Sequence, residues 1–139
     1  GAVNRLVDMG VEPFLLSSTL IGLMAQRLVR RLDRDRAESF EITAEDLVPL
    51  GIRESGSVRL MRPRRDVDDP RGGYSGRTGI YELVAVGDEM RQAIHGRAAE
   101  VELERIARAD SPSMLDDGWR KVRAGVTSLD ELMRVTRQY

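Results

Sequence analysis

Apolar residues in the first 32 positions recur at helical intervals. Val3, Leu6, Val7 and Met9 share this spacing over residues 2–9, and Gly10 suits a C-terminal cap. Pro13 is well placed as the first residue of a second helix, after which Leu16, Leu20, Leu23, Met24, Leu28 and Leu32 recur mostly at intervals of three and four. The spacing predicts one long amphipathic helix over residues 13–32, about five turns and roughly 30 Å at 1.5 Å per residue. Gln26, Arg27, Arg30 and Arg31 would then crowd its last turns, where cations complement the helix dipole.

The pattern stops at residues 33–36, which contain no large apolar side chain and read as a boundary. Thr43 is placed to cap a short helix with Glu45 and Asp46 in its first turn, closed by Pro49 and Gly51. Residues 57–61 alternate weakly, as a strand would. Residues 62–76, with two prolines, three glycines and dense charge, read as a loop, and the β-branched run 78–86 as a second strand. The last third predicts four short helices. One runs from Asp88 to His95-Gly96, and one covers 97–109 with Val101, Leu103, Ile106 and Ala107 inward. A third leads from Ser113 through Trp119 to a cap at Gly125, and a fourth starts from Thr127 or Ser128 with Leu129, Leu132, Met133 and Val135 inward. Such short helices need one another to be stable.

Composition narrows the chemistry. The 139 residues are 41% apolar and 32% charged with a net charge of −1, as in an ordinary globular domain. No apolar run approaches the ~18 residues of a membrane span. Without cysteine there is no disulfide, thiol nucleophile or thiolate metal site. The only lysine, Lys121, stands inside a predicted helix, so no glycine-framed phosphate loop with its lysine is present. The single His95 excludes a multi-histidine metal centre and reads as a surface residue at a helix end. No complete catalytic constellation is visible.

Arg59, Arg62, Arg64, Arg65, Arg71 and Arg77 could together hold phosphates, or could be a solvated group pairing with Asp66, Asp68 and Asp69. The low net charge and a single interleaved aromatic, Tyr74, argue against nucleic acid as a partner. Arg77 differs from the rest because Gly73-Tyr74-Ser75-Gly76-Arg77-Thr78-Gly79 places it in a glycine-framed turn directly before a strand. The chain also opens without methionine on a helical pattern already under way, which reads as part of a longer protein.

Several ordered segments resemble the secretion and pilus assembly ATPases. They are residues 10–18 with 25–30, the run Gly73-Tyr74-Ser75-Gly76-Arg77-Thr78-Gly79-Ile80-Tyr81-Glu82-Leu83, and Asp116-Asp117-Gly118. The ending from Gly125 to Thr136 is most similar to the type II secretion branch, and the likeness covers essentially the whole chain. The resemblance implies the C-terminal third of a cytoplasmic, hexameric motor attached peripherally to the bacterial inner membrane. Its cofactors would be ATP and Mg²⁺, and its partners further copies of itself and the platform proteins of types L and F, with membrane contact only indirect. The implied fold is mainly α with a small β element. Residues 1–32 would end a RecA-like α/β core, residues 33–76 would be a small metal-binding subdomain, and residues 77–139 a C-terminal helical subdomain. The nucleotide motifs would lie upstream, so the residues here include no catalytic group, and Arg77 is the candidate at the nucleotide or subunit interface. A type IV pilus ATPase and a non-catalytic helical adaptor are the alternatives.

One departure from the family concerns metal. Its members usually carry two Cys-x-x-Cys pairs holding zinc, and those positions fall here on Asp33, Arg36, Asp66 and Asp69. Three carboxylates and a guanidinium do not make a zinc site, so no zinc is expected. An Arg36–aspartate contact and the packing of Leu47, Leu50 and Leu60 would hold the segment instead. A weak hard-cation site from Asp33, Asp66 and Asp69 is the remaining metal option.

Overall fold

The structure, a computed structural model, describes residues 1–66 and 68–137. Val67, inside the predicted 62–76 loop, lies outside the described residues. Seven helices and four strands follow one another in the described chain: α1 Ala2–Asp8, α2 Pro13–Thr19, β1 Gly22–Leu32, β2 Ala37–Thr43, α3 Ala44–Leu47, β3 Ser57–Pro63, β4 Tyr74–Ala85, α4 Asp88–His95, α5 Glu100–Asp110, α6 Met114–Arg123 and α7 Leu129–Thr136. Single 3₁₀ turns occupy Arg34–Arg36 and Val48–Leu50. The architecture is helical with small two-stranded sheets, β1 with β4 and β2 with β3.

The long helix over 13–32 does not exist. The helix stops at Thr19, and Gly22–Leu32 is a strand. Leu20, Met24, Leu28 and Leu32 stand four apart, which puts them on one face of a helix but also, because four is even, on one face of a strand. Pairing with β4 decides between the two. Val86 N–H donates to the Ile21 carbonyl beyond one end, and Asp33 N–H to the Gly73 carbonyl beyond the other, so the strands run antiparallel. Arg27, Arg30 and Arg31 therefore decorate a strand and not the end of a helix of their own, and Arg27 instead donates to the Val135 carbonyl in the last turn of α7 at 2.9 Å.

β2 is a second difference, because residues 37–43 carried no predicted element. Its register with β3 sets Phe40 opposite Leu60 and Ile42 opposite Val58, an apolar face alternating with Glu41 and Thr43. The expected Thr43 cap is present, its hydroxyl accepting from Asp46 N–H, and Gly51 closes the segment at φ +80°.

The chain divides into two compact units. Unit 1 comprises residues 1–25 and 82–113. There Val3, Leu16, Val84, Val86, Met90, Ile94, Leu103 and Ile106 form one core, built chiefly where α2 and α5 meet α4. Val101, expected inward, is 79% exposed, since the inward stripe of α5 runs through Leu103 and Ile106. Asp88 is the first residue of α4, and the cap position is Gly87 with no side-chain bond.

Unit 2 comprises residues 26–81 and 114–139, of which 138 and 139 lie outside the described residues. Val29, Leu47, Val58, Leu60, Ile80, Trp119, Val122 and Leu132 lead its core. Gly118 brings α6 against α7, since a Cβ there would overlap Leu132 Cδ1. Trp119 Nε1–H donates to Glu54 at 2.8 Å, and Arg123 reaches the same carboxylate. The only lysine ties α6 to β4: Lys121 donates to the Gly79 carbonyl and lies 4.9 Å from the Tyr81 ring centroid.

An arginine groove on unit 2

Gly72 and Gly73 take φ +65° and +91°, turning the chain sharply into β4. No other residue fits at 73, because a Cβ would stand 2.6 Å from Pro63 Cβ. The expected turn around Arg77 is absent: Arg77 lies inside β4, four residues past the bend, and the local irregularity is Gly76 at φ +76°. Arg77 is exposed.

A groove of about 470 Å³ opens here, lined by Arg30, Pro70, Arg71, Gly72, Tyr74, Ser75, Gly76 and Arg77. Its floor is fixed by a network that runs into α7. The Tyr74 hydroxyl and Ser128 Oγ are 2.5 Å apart, and Ser128, the cap of α7, accepts from Glu131 N–H at 3.1 Å. The Glu131 carboxylate accepts from Arg30 through its backbone N–H at 2.6 Å and its guanidinium at 3.0 and 3.1 Å, and from Arg134 at 2.7 and 3.0 Å. The Arg30 guanidinium lies over the Tyr74 ring at 4.3 Å. Burial is the strongest influence on Glu131 and pushes its pKa up, yet the bonds from Arg134 and Arg30 together outweigh it and hold the group at about 2. Burial also raises the Tyr74 phenol. The Ser128-x-x-Glu131 spacing was readable as a cap, but nothing local told that Glu131 would turn to a strand 101 residues away.

The arginines of the predicted cluster divide. Arg62 lies over the Phe40 ring and near Glu38, and Arg64 forks onto Asp66 at 2.8 and 3.2 Å. Arg71 and Arg77 both line the groove, and neither guanidinium has a hydrogen bond or ion pair among the described residues. Arg30 shares the single Glu131 carboxylate with Arg134, so Arg71 and Arg77 are the groove's guanidiniums without a carboxylate partner among the described residues. Guanidiniums so placed have the fork geometry that matches carboxylate or phosphate oxygens. His95 is exposed at the end of α4, with its ring centroid 6.1 Å from that of Phe14.

Asp33, Arg36 and Asp69 come together. Arg36 stands 3.7 Å from Asp33 and 3.3 Å from Asp69, whose carboxylate also accepts from Arg71 N–H at 3.1 Å and Gly73 N–H at 3.0 Å. The Arg71 amide above all keeps the Asp69 carboxyl below its usual range. Asp66 pairs elsewhere, with Arg64. Among the described residues no three carboxylates or histidines converge on a point that could hold a metal ion, so the hard-cation arrangement of Asp33, Asp66 and Asp69 does not form. A zinc ion does not fit this donor set: it lacks thiolate and imidazole and already contains a fixed cation.

Residues 1–134 match the family model described as type II/IV secretion system protein. Over 138 residues, 99% of this chain, it is 48% identical to the type II secretion system protein E of Pseudomonas aeruginosa and 46% identical to the type II secretion system ATPase E of Vibrio cholerae. A third relative, type II secretion system protein HxcR of Pseudomonas aeruginosa, is 44% identical over 98% of the chain. The chain spans only 28%, 27% and 26% of these relatives' lengths.

Proposed function

This chain belongs to the type II/IV secretion system protein family, and on that premise we propose that the longer protein is a cytoplasmic, hexameric ATPase that powers type II secretion. ATP and Mg²⁺ would be bound by upstream residues, and hydrolysis would drive pseudopilus assembly through platform proteins of types L and F at the inner membrane. Residues 1–32 would end the RecA-like core, 33–76 form the small subdomain and 77–139 the helical one. The observation that carries this reading is the 46% identity, across 99% of the chain, to a protein named as the secretion ATPase.

Within that motor we assign Arg77 to the interface with a neighbouring subunit, near the nucleotide. Its guanidinium is exposed and has no partner among the described residues, which favours an outward role over a tie within its own subdomain. An arginine fork bonds carboxylate or phosphate bidentately and stays charged at any cellular pH. The test compares Arg77→Ala with Arg77→Lys in the full-length protein, measuring hexamer formation and ATP turnover. Arginines supplied across NTPase interfaces change turnover by about 10³–10⁵-fold, and a pure assembly role would act on the hexamer instead. If both variants assemble and hydrolyse like the parent, Arg77 has no interface role.

A further inference from the structure

We infer that Arg36 stands in for a structural metal: its guanidinium, through Asp69, is the cation that ties residues 69–73 to residues 33–36, so the closure is electrostatic and independent of metal.

Three stretches of chain meet at this residue, two through its side chain and one through its carbonyl. Asp33, on the first, lies 3.7 Å away, and Asp69, on the third, 3.3 Å away. The second is stitched by main chain, with Arg64 N–H donating to the Arg36 carbonyl at 2.8 Å. Asp69 is the hub. Its side chain is only 5% exposed, accepts from the Arg71 and Gly73 amides, and forms an ion pair with Arg36. Asp33 N–H completes the closure by donating to the Gly73 carbonyl at 2.9 Å. A metal ion would organise the same stretches by drawing anionic ligands to one positive centre. Here the positive centre is covalently part of the chain, and a second cation between the same carboxylates would meet its repulsion. The fourth equivalent position, Asp66, is engaged by Arg64, which leaves a clamp of three. Arg71 sits between the hub and Gly73, so the clamp also fixes the backbone from which the Arg71 guanidinium enters the groove, whatever that groove binds.

The experiment is limited trypsin digestion of the full-length protein, with mass spectrometry counting cleavage after Arg64, Arg65 and Arg71. Trp119 emission serves as the readout of the unit 2 core. The parent should be cut at one rate with chelator, without it and with added zinc. Arg36→Gln should be cut about threefold to fivefold faster, the worth of a partly exposed ion pair, with Arg36→Lys between the two. Asp69→Asn should match Arg36→Gln. Raising salt to about 1 M shrinks the Debye length to ~3 Å and should speed cleavage of the parent but not of Arg36→Gln. If Arg36→Gln loses its Trp119 core, the salt and chelator arms on the parent decide alone: opening in salt with Trp119 unchanged supports the clamp. Chelator-induced opening, stoichiometric zinc in the purified protein, or an Arg36→Gln segment as protected as the parent's would overturn it.

Discussion

Glu131 shows how a single residue can be costly and still structural. Its side chain has no exposed surface, a position that would expel a lone carboxylate, yet five donor contacts from Arg30 and Arg134 compensate it. Folding lowers its pKa from 4.5 to about 2, so its stabilisation is fully present above pH 4.5 and is lost as pH falls through about 2. Glu131→Gln should cost about 2–3 kcal/mol in urea denaturation at pH 7, and the difference from the parent should shrink steadily when the measurement is repeated down to pH 3. Gly118 makes the opposite kind of test. In a helix interior Gly→Ala normally gains about 0.5–1 kcal/mol, but here the added methyl overlaps Leu132. Gly118→Ala should therefore destabilise by about 1–3 kcal/mol, read as a lower thermal midpoint.

At the scale of elements, β1 is the instructive case. A helix over 13–32 would bury Leu28 in one stripe with Met24 and Leu32, whereas the strand leaves Leu28 45% exposed and Val29 only 1% exposed. Chemical denaturation should find Val29→Ala destabilising by about 2 kcal/mol and Leu28→Ala by less than about 0.5 kcal/mol. The reverse order would restore the helix. Punctuation was easier to read than the elements it bounds. The Thr43 and Ser128 caps and the left-handed Gly51 and Gly125 depend on a few neighbouring atoms, and all four stand as the local rules require. The β2 strand escaped notice although Phe40 and Ile42 alternate with polar residues, because a short alternation gains its meaning from the partner strand β3.

For the molecule as a whole, the units interleave along the sequence: residues 1–25 join 82–113, and 26–81 join 114–139. Such an arrangement has no signature in composition. A phosphate loop, by contrast, can be looked for in the sequence, because it needs a lysine after a glycine-framed turn, and the only lysine, Lys121, stands within α6. The 139-residue chain alone should show neither micromolar ATP affinity by calorimetry nor turnover, and under the proposed function the longer protein should show both.

What the sequence determined by itself was therefore local or exclusive: caps, glycine turns, strands at 57–61 and 78–86, which the structure extends into the expected 62–76 loop as 57–63 and 74–85, the missing nucleotide loop, and the family likeness carried by ordered motifs. The tertiary structure alone decided that residues 22–32 extend, that Arg77 lies within a strand, and that Glu131 turns to Arg30 across 101 residues. The physical reason is one of magnitude. Intrinsic preferences between helix and strand differ by well under about 1 kcal/mol per residue, so ladder pairing and the burial of one Val29 or one compensated carboxylate outweigh them.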